Sequence, residues 1–404
     1  MKLVKSLLLG SVAGLAAVAG AQAADLPVAK AAPVEYVRVC STYGAGFFYI
    51  PGTETCLRVG GRVRAEYRYV EPEERIDNSI GFRARGRIQL DARTATAYGL
   101  LRTFVRFEIT RDTGVYADSE FAGAVSNSPN VDQAFVQFGG LTAGRALSFF
   151  DNGDLPTEHF GTLRFSDAPN VNLLAYTFSF GSGFSASLSL EEGRFTGDPA
   201  DFPGVFFEAG QRMPDVVGQV MYSGTWGSAM VAGALHQIRS DAVSFGGAPA
   251  IIPDTEYGFA VTAQGNVNLP MLAAGDALWI AATYADGALG YLGFDSSEVA
   301  DATYDVNGDI DTATGWSIAG GLRHYWTPEV RQSVFGSYAR VEYNENFAGV
   351  SDFNEWRVGT NVIWSPVSGL DIGAEVLYTN VDLRNVEGGD DDVWEGRIRV
   401  QRDF

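Results

Sequence analysis

The chain has 404 residues, a formal net charge of −20 at pH 7 and only two cysteines. A chain this acidic is not held by nucleic acid or by anionic lipid head groups, so neither is expected as a binding partner. The length could accommodate two or three soluble domains or one large β-barrel.

The first 23 residues have the composition of a secretory signal peptide. Lys2 and Lys5 provide the positive start, residues 7–19 are apolar, and the Ala-Gln-Ala motif at 21–23 matches a signal-peptidase site. The apolar stretch is shorter than the roughly 20 residues of a spanning helix, so we expect cleavage rather than a retained anchor. Residues 24–55 show no regular pattern and are predicted to form an extended segment on the periplasmic side.

The two cysteines, Cys40 and Cys56, are expected to form a disulfide. In an oxidising periplasm, cysteines this close in sequence favour a structural bridge. Such a bridge closes a loop of about 15 residues and contributes roughly 3 kcal/mol when loop entropy alone is counted. A redox or metal-binding pair is the alternative, although neither a second cysteine pair nor a histidine lies nearby.

Alternation of apolar and charged residues begins at residue 56 and recurs in the segments 56–70, 79–94 and 100–111. Successive residues of a strand point to opposite faces, so each segment has one apolar face and one ionic face. The segments run to about 10–15 residues, which suits a tilted strand that crosses a membrane better than a soluble sandwich strand of roughly 5–6. Further strands are predicted at 130–138, 141–148, 171–180, 183–191, 215–223, 226–239, 255–267, 276–285, 312–325, 329–343, 353–364, 370–383 and 393–404.

The connections between these strands alternate between short turns and long loops. Long connections are predicted at 112–129, 149–170, 192–214, 240–254 and 286–311. An outer-membrane barrel carries its short turns on one side and its long loops on the other. Tryptophans near the strand ends match the aromatic belts of the two membrane interfaces; they are Trp226, Trp316, Trp326, Trp356, Trp364 and Trp394. We therefore predict an all-β fold, a transmembrane antiparallel β-barrel of about 16 strands that covers residues 56–404.

The residues before the first strand resemble a known family. Residues 36–40 (YVRVC) and 43–59 (YGAGFFYIPGTETCLRV) are similar to the N-terminal signature of the alphaproteobacterial porins found in Rhizobium and Brucella relatives, and 24–27 (ADLP) resembles their mature start. The resemblance implies a general porin of the Gram-negative outer membrane, 16 strands, a homotrimer, and a third long loop folded into the lumen. This chain departs from the family in its lysine content, since Lys30 is the only lysine after the signal.

The third long loop, predicted at 149–170, is acidic through Asp151, Asp154 and Glu158. If it folds inward as a constriction loop, these carboxylates face a wall formed by the predicted strands 1, 2, 3 and 16. The arginines on the ionic faces of those strands are Arg58, Arg62, Arg64, Arg83, Arg85, Arg87, Arg102, Arg106, Arg397 and Arg399. Stacked arginines require counter-charge, water or both, and opposite charges across a wet opening set the ion preference of a pore.

The expected function is that of a general porin, a water-filled channel through which small hydrophilic solutes and ions diffuse, surrounded by outer-membrane lipid. A channel for a dedicated substrate and a secreted soluble β protein are the alternatives. Neither His-Glu-x-x-His nor Gly-x-Ser-x-Gly occurs, so no enzyme, catalytic residue, cofactor or metal is predicted. The loop at 305–311 begins with calcium-loop spacing, but its twelfth position is Trp316 rather than glutamate, which favours a solvated loop.

Overall fold

The computed structural model describes residues 38–117, 123–197, 206, 208–244, 249–305, 307–343, 350–384, 386 and 389–404. The predicted signal peptide at 1–23 and residues 24–37 of the predicted periplasmic segment lie outside the described residues. Within these ranges, no helix is both long enough and apolar enough to span a bilayer.

Sixteen long strands form one closed antiparallel barrel, in which each strand pairs with the next and the last pairs with the first. They are β1 Cys56–Val70, β2 Ile80–Thr96, β3 Gly99–Gly114, β4 Val125–Phe138, β5 Leu141–Leu147, β6 Asn170–Gly181, β7 Phe184–Glu191, β8 Asp215–Gly224, β9 Gly227–Ile238, β10 Glu256–Asn268, β11 Ala277–Asp286, β12 Thr314–Tyr325, β13 Val330–Glu342, β14 Phe353–Val367, β15 Leu370–Leu383 and β16 Asp390–Asp403. The predicted fold class is confirmed, and every predicted strand overlaps an observed one.

Several strands are longer than the alternation predicts, and two of them, β4 and β14, carry a bulge. β4 begins at residue 125 rather than 130, and β14 ends at 367 rather than 364. In each case a bulge shifts the register beside a stretch that contains proline. Pairing therefore continues past the point where the alternation breaks down.

The apolar faces of the strands point outward. Val63, Ile88 and Phe107 are each more than half exposed, as are many apolar side chains around the barrel. Soluble proteins rarely expose a continuous apolar surface of more than a few hundred Å², so this surface suits lipid. Exposed tryptophans mark two levels, Trp316, Trp356 and Trp394 near the end with the long loops, and Trp226, Trp326 and Trp364 near the end with the short turns.

The N-terminal segment is bound to the barrel end that carries the short turns. The predicted disulfide is confirmed, since Cys40 and Cys56 are bonded with their Cα atoms 5.9 Å apart. The buried ring of Phe47 lies 5.1 and 4.9 Å from the guanidinium carbons of Arg58 and Arg93, which face the barrel interior. The segment therefore packs inside the rim rather than hanging free of it.

Gly61 lies where the first strand, β1, pairs with the last strand, β16, and closes the barrel; this junction is called the seam below. The N–H of Gly61 donates to the carbonyl oxygen of Phe404 (2.9 Å), and the N–H of Phe404 donates back to Gly61 (3.1 Å). A Cβ atom on Gly61 would lie 2.5 Å from the Phe404 ring and 2.6 Å from the carbonyl oxygen of Arg87. By contrast, a Cβ atom on Gly86 of β2 would meet nothing within 4 Å.

We expect Gly61→Ala to destabilise the barrel by about 1–3 kcal/mol, because an added methyl group forces the seam apart. Gly86→Ala is the matched control and should have a much smaller effect. The unfolding temperature of the detergent-solubilised barrel, followed by its mobility on SDS gels, measures the difference. Equal shifts for the two variants would show that the seam tolerates a side chain at this position.

Candidate functional site

The segment between β5 and β6, residues 148–169, crosses the barrel interior and is called the crossing segment below. Near its start, the backbone N–H of Asn152 donates to Gln264 on β10 (3.0 Å), and the Nδ2 of Asn152 donates to Ser228 on β9 (2.8 Å). Among the described residues, its hydrogen bonds to the wall reach β7–β10 and β12–β16 but not β1–β4. The crossing segment is therefore bonded to most of the wall, and, in the described part of the chain, β1–β4 form the side of the lumen to which it makes no hydrogen bond.

The middle of the crossing segment is held by a carboxylate on β15. The backbone N–H groups of Phe160 and Gly161 each donate to an oxygen of Glu375 (2.6 Å each), and Asn361 donates to the same carboxylate (3.1 Å). Backbone N–H groups inside a protein need acceptors, and here no neighbouring strand supplies them. A Cβ atom on Gly161 would lie 2.6 Å from the side chain of Leu377, so this approach to the wall favours glycine.

A second anchor is the buried guanidinium group of Arg164. Its Nε donates to Glu355 on β14 (2.8 Å), and its two terminal nitrogens donate to Glu298 (2.7 and 2.8 Å). Glu298 belongs to the loop between β11 and β12. Removal of one partner from such a buried ion pair typically costs about 3–5 kcal/mol. Arg164 therefore joins the crossing segment firmly to β14 and to the β11–β12 loop.

Two other loops fold inward and brace the crossing segment. From the β7–β8 loop, Arg194 donates to Ser166 (2.6 Å) and to Asp151 (3.2 Å). From a turn of 3₁₀-helix in the β11–β12 loop, the ring of Tyr291 packs against the ring of Phe150, with 4.5 Å between the ring centroids. Burial raises the pKa of Asp151 to about 6, while the positive charge of Arg194 opposes the rise. Sequence reasoning missed this bracing, because neither loop carries a periodic pattern.

The three predicted acidic residues have different surroundings. Asp154 is exposed and accepts a hydrogen bond from Ser223 (2.6 Å). Glu158 accepts from the Nε of Arg331 at 2.9 and 3.0 Å. Asp151 does not face the open lumen as expected, because the β7–β8 loop covers its carboxylate. The expectation that Asp151 faces the lumen is therefore wrong, and the role of Glu158 and Asp154 at a constriction stays a prediction.

The ten predicted arginines form a lattice with carboxylates of the wall itself. Ion pairs join Arg62 to Asp403 (2.6 Å), Arg83 to Asp112 (2.7 Å), Arg87 to Glu108 (2.5 Å), Arg102 to Asp91 (3.0 Å), Arg397 to Glu395 (2.9 Å), Arg399 to Glu66 (2.6 Å) and Arg106 to Asp132. Arg58 and Arg85 have carboxylates at 3.9 and 3.8 Å, and Arg64 donates to Gln401 (2.8 Å). Much of the counter-charge that stacked arginines require thus comes from the wall.

Sequence reasoning did not assign these wall carboxylates to the site. Glu66 and Glu108 share the alternation parity of the arginines on their own strands, which the sequence does show. The pairing register then sets Glu66 directly opposite Arg399 and Glu108 directly opposite Arg87. The alternation within each strand could therefore have placed these carboxylates on the inner face. Their partners on the neighbouring strand could not be read from the sequence.

A cavity of about 830 Å³ lies between the crossing segment and the wall, where β13–β16 and β1 contribute to its lining. The predicted site residues that line it are Arg62, Arg64, Arg399 and Glu158. Charged residues that line it without having been predicted are Arg194, Arg331, Asp167, Asp295 and Asp371. Arg331 and Asp371 are the second residues of their strands, where the alternation is too short to assign a face. The remaining predicted arginines lie in the lattice outside the lining of this cavity.

The histidine of the crossing segment, His159, and the loop at 305–311 are held by local hydrogen bonds. His159 Nδ1 lies 2.6 Å from the carbonyl oxygen of Gly161, within the crossing segment. Asp305 accepts hydrogen bonds from the backbone N–H groups of Asn307 and Asp309 (2.8 Å each), which closes that turn. In the part of the chain that the structure describes, no group of three or more His, Cys, Asp or Glu residues is arranged to hold a metal ion.

Comparison with known proteins gives a consistent result. The sequence profile of the porin subfamily matches residues 25–399. Porin Omp2b of Brucella suis is 32% identical over 429 residues, which cover 99% of this chain and 100% of that protein. Porin Omp2b of Brucella melitensis is also 32% identical, over 416 residues that cover 99% of each chain.

Solved structures share the fold. The outer membrane channel DcaP of Acinetobacter baumannii superposes with a TM-score of 0.68 at 16% identity, covering 88% of this chain and 99% of that one. The trimer form of OmpT from Vibrio cholerae gives a TM-score of 0.52 at 14% identity, covering 87% and 100%. The subfamily and the names of the relatives indicate a channel rather than an enzyme.

Glu375→Gln is expected to loosen the crossing segment, because an amide has one oxygen where the carboxylate has two. Leaving a buried N–H without an acceptor costs about 1–3 kcal/mol, so tryptic cleavage after Arg164 should become about tenfold faster. Asp112→Asn removes a lumen carboxylate that bonds to Arg83 instead, and it serves as the control. Unchanged cleavage of Glu375→Gln would mean that other contacts suffice to hold the segment.

Proposed function

This chain belongs to the porin subfamily and is a porin of the Gram-negative outer membrane, and from that premise we propose that small hydrophilic solutes and ions pass along the cavity beside β1 and β16. The cavity carries the proposal, because charged side chains line it on both sides. Such a lining keeps water and ions in the path, and passive diffusion requires no group that reacts with the solute.

The charges of the proposed constriction are unequally distributed. On the wall, Arg62, Arg64 and Arg399 face the cavity, whereas the crossing segment contributes Glu158 and Asp167. Glu158 is itself bonded to Arg331, with Arg323 at 3.5 Å. We infer a transverse field that is more positive on the side of β1 and β16, in which polar solutes align and from which apolar solutes are excluded.

Glu158→Gln should shift the ion preference of the channel toward anions. A unit charge a few ångströms from the path is worth about 1 kcal/mol in water, which corresponds to a change of roughly fivefold in the ratio of cation to anion permeability. Asp154→Asn makes the same change of charge on the same segment but outside the cavity, so its ratio should stay near that of the unaltered protein. Reversal potentials across a salt gradient in planar bilayers measure both ratios.

Equal shifts in the two variants, or no shift in either, would show that Glu158 does not set the ion preference at the constriction. The same recordings test the alternative of a dedicated substrate. A general porin gives a current that rises in proportion to salt concentration, whereas a small current that saturates and is blocked by one solute would contradict general diffusion.

We also infer that three copies of the chain associate. The apolar outer surface can be covered by lipid or by a second protomer, and the trimer form of OmpT shows that this fold can carry such a contact in another protein. Chemical cross-linking of the protein in native outer membranes should yield a species of three chains that separates into single chains on heating. A single-chain species without heating would contradict the trimer.

A further inference from the structure

We propose that Arg64 is the centre of a subsite that binds small oxyanions, carboxylates and phosphate among them, within the constriction. The proposal rests on the channel function proposed above and assigns a preferred class of solute to it. It follows from the pairing of β1 with β16 rather than from the number of arginines.

Three successive inward-facing residue pairs of the β1–β16 ladder, called rungs below, differ in charge. In the first rung Arg62 faces Asp403, and in the third Glu66 faces Arg399, so both rungs are ion pairs. In the rung between them Arg64 faces Gln401, an amide without charge. The middle rung therefore leaves one positive charge uncompensated.

Arg64 differs in this respect from the other nine arginines of the predicted wall. Each of those has a carboxylate oxygen within 4.0 Å. For Arg64, no carboxylate of the described residues lies that close. Arg85 lies directly opposite Arg64 on β2 and Arg62 lies two residues away on the same face, whereas Glu66, two residues away in the other direction, is bonded to Arg399. Three guanidinium groups in such proximity attract an anion from the water of the lumen.

The geometry leaves the ligand-binding edge of Arg64 open. Its Nε donates to Gln401 Oε1 (2.8 Å), and Gln401 is held in turn by a hydrogen bond from its Nε2 to Asp403 (3.0 Å). The Nε bond fixes the plane of the guanidinium group and leaves both terminal nitrogens for a ligand. Two parallel N–H donors in a fixed plane match the two oxygens of a carboxylate or phosphate.

The surroundings admit an anion. Arg64 and Gln401 line the cavity together with the ring of Phe160, which lies over the guanidinium group of Arg399 at 4.0 Å. Among the carboxylates that line the cavity, Glu158 and Asp371 both bond to Arg331, whereas Asp167 and Asp295 lie on the crossing segment and the β11–β12 loop rather than on the wall that carries Arg64. Ion pairs in a water-filled site are weak, so a bound solute can leave the site again and pass through the pore.

The test uses the full-length protein in planar bilayers in potassium chloride, with inorganic phosphate as the probe. In the unaltered channel, millimolar phosphate should reduce the current carried by chloride. In Arg64→Gln the concentration for half reduction should rise about tenfold, as expected when a charge-assisted contact is lost. Arg111→Gln removes the same charge from the outer face of β3 and should leave the phosphate effect as it was.

A second variant tests the rung directly. Gln401→Glu supplies the missing carboxylate without altering Arg64, and it should weaken the phosphate effect as strongly as Arg64→Gln does. Arg64→Lys keeps the charge but loses the planar pair of donors, so its phosphate effect should lie between those of the unaltered protein and Arg64→Gln.

A phosphate effect that persists in Arg64→Gln and Gln401→Glu overturns the subsite. So does an unaltered channel that conducts chloride with no response to phosphate, and in that case the porin function stands. Absence of any conductance in the unaltered protein would instead overturn the channel proposal itself.

Discussion

The shape of the pore depends on the wall carboxylates that hold the crossing segment in place by hydrogen bonds. A chain that runs through a lumen carries N–H groups that must find acceptors, and no strand is available beside it. Glu375 accepts two of them, and Glu355 holds the side chain of Arg164. Because these two carboxylates lie on β14 and β15, the segment is drawn toward that half of the barrel. The position of the cavity follows from this asymmetry.

The preference for arginine over lysine follows from the lattice on the wall. A guanidinium group has five N–H donors in one plane, so it can hold a carboxylate and still donate elsewhere. Arg102 on β3 bonds to Asp91 on β2 and to Gln137 on β4, the strands on either side of it. A lysine would carry the charge but would not fix its direction. The wall is therefore a rigid charged surface rather than a layer of mobile side chains.

The strands were predictable because each one repeats the same signal, an apolar face beside a polar one, along most of its length. The closed barrel and the inward loop followed from the loop lengths and the family resemblance. The surroundings of single side chains were not predictable, since they depend on contacts between distant positions. Glu375 is more than 200 residues from Phe160 in sequence, and Asp151 was expected in the lumen because nothing in the sequence shows that Arg194 would cover it. Arg64 and Arg62 look alike in the sequence, and only the strand register separates them.

The asymmetric lumen also divides the barrel into halves that differ in how freely their inner residues can be exchanged. On β13–β15 the polar side chains bond to the backbone or to a buried charge of the crossing segment, so a substitution there alters the pore by moving a loop. On β1–β3 most charges, although not that of Arg64, are paired within the wall, and one pair can be exchanged for another without disturbing the path of the backbone. Redesign of the permeability is thus best confined to β1–β3, where two compensating substitutions change the field while β13–β15 and the crossing segment keep their places.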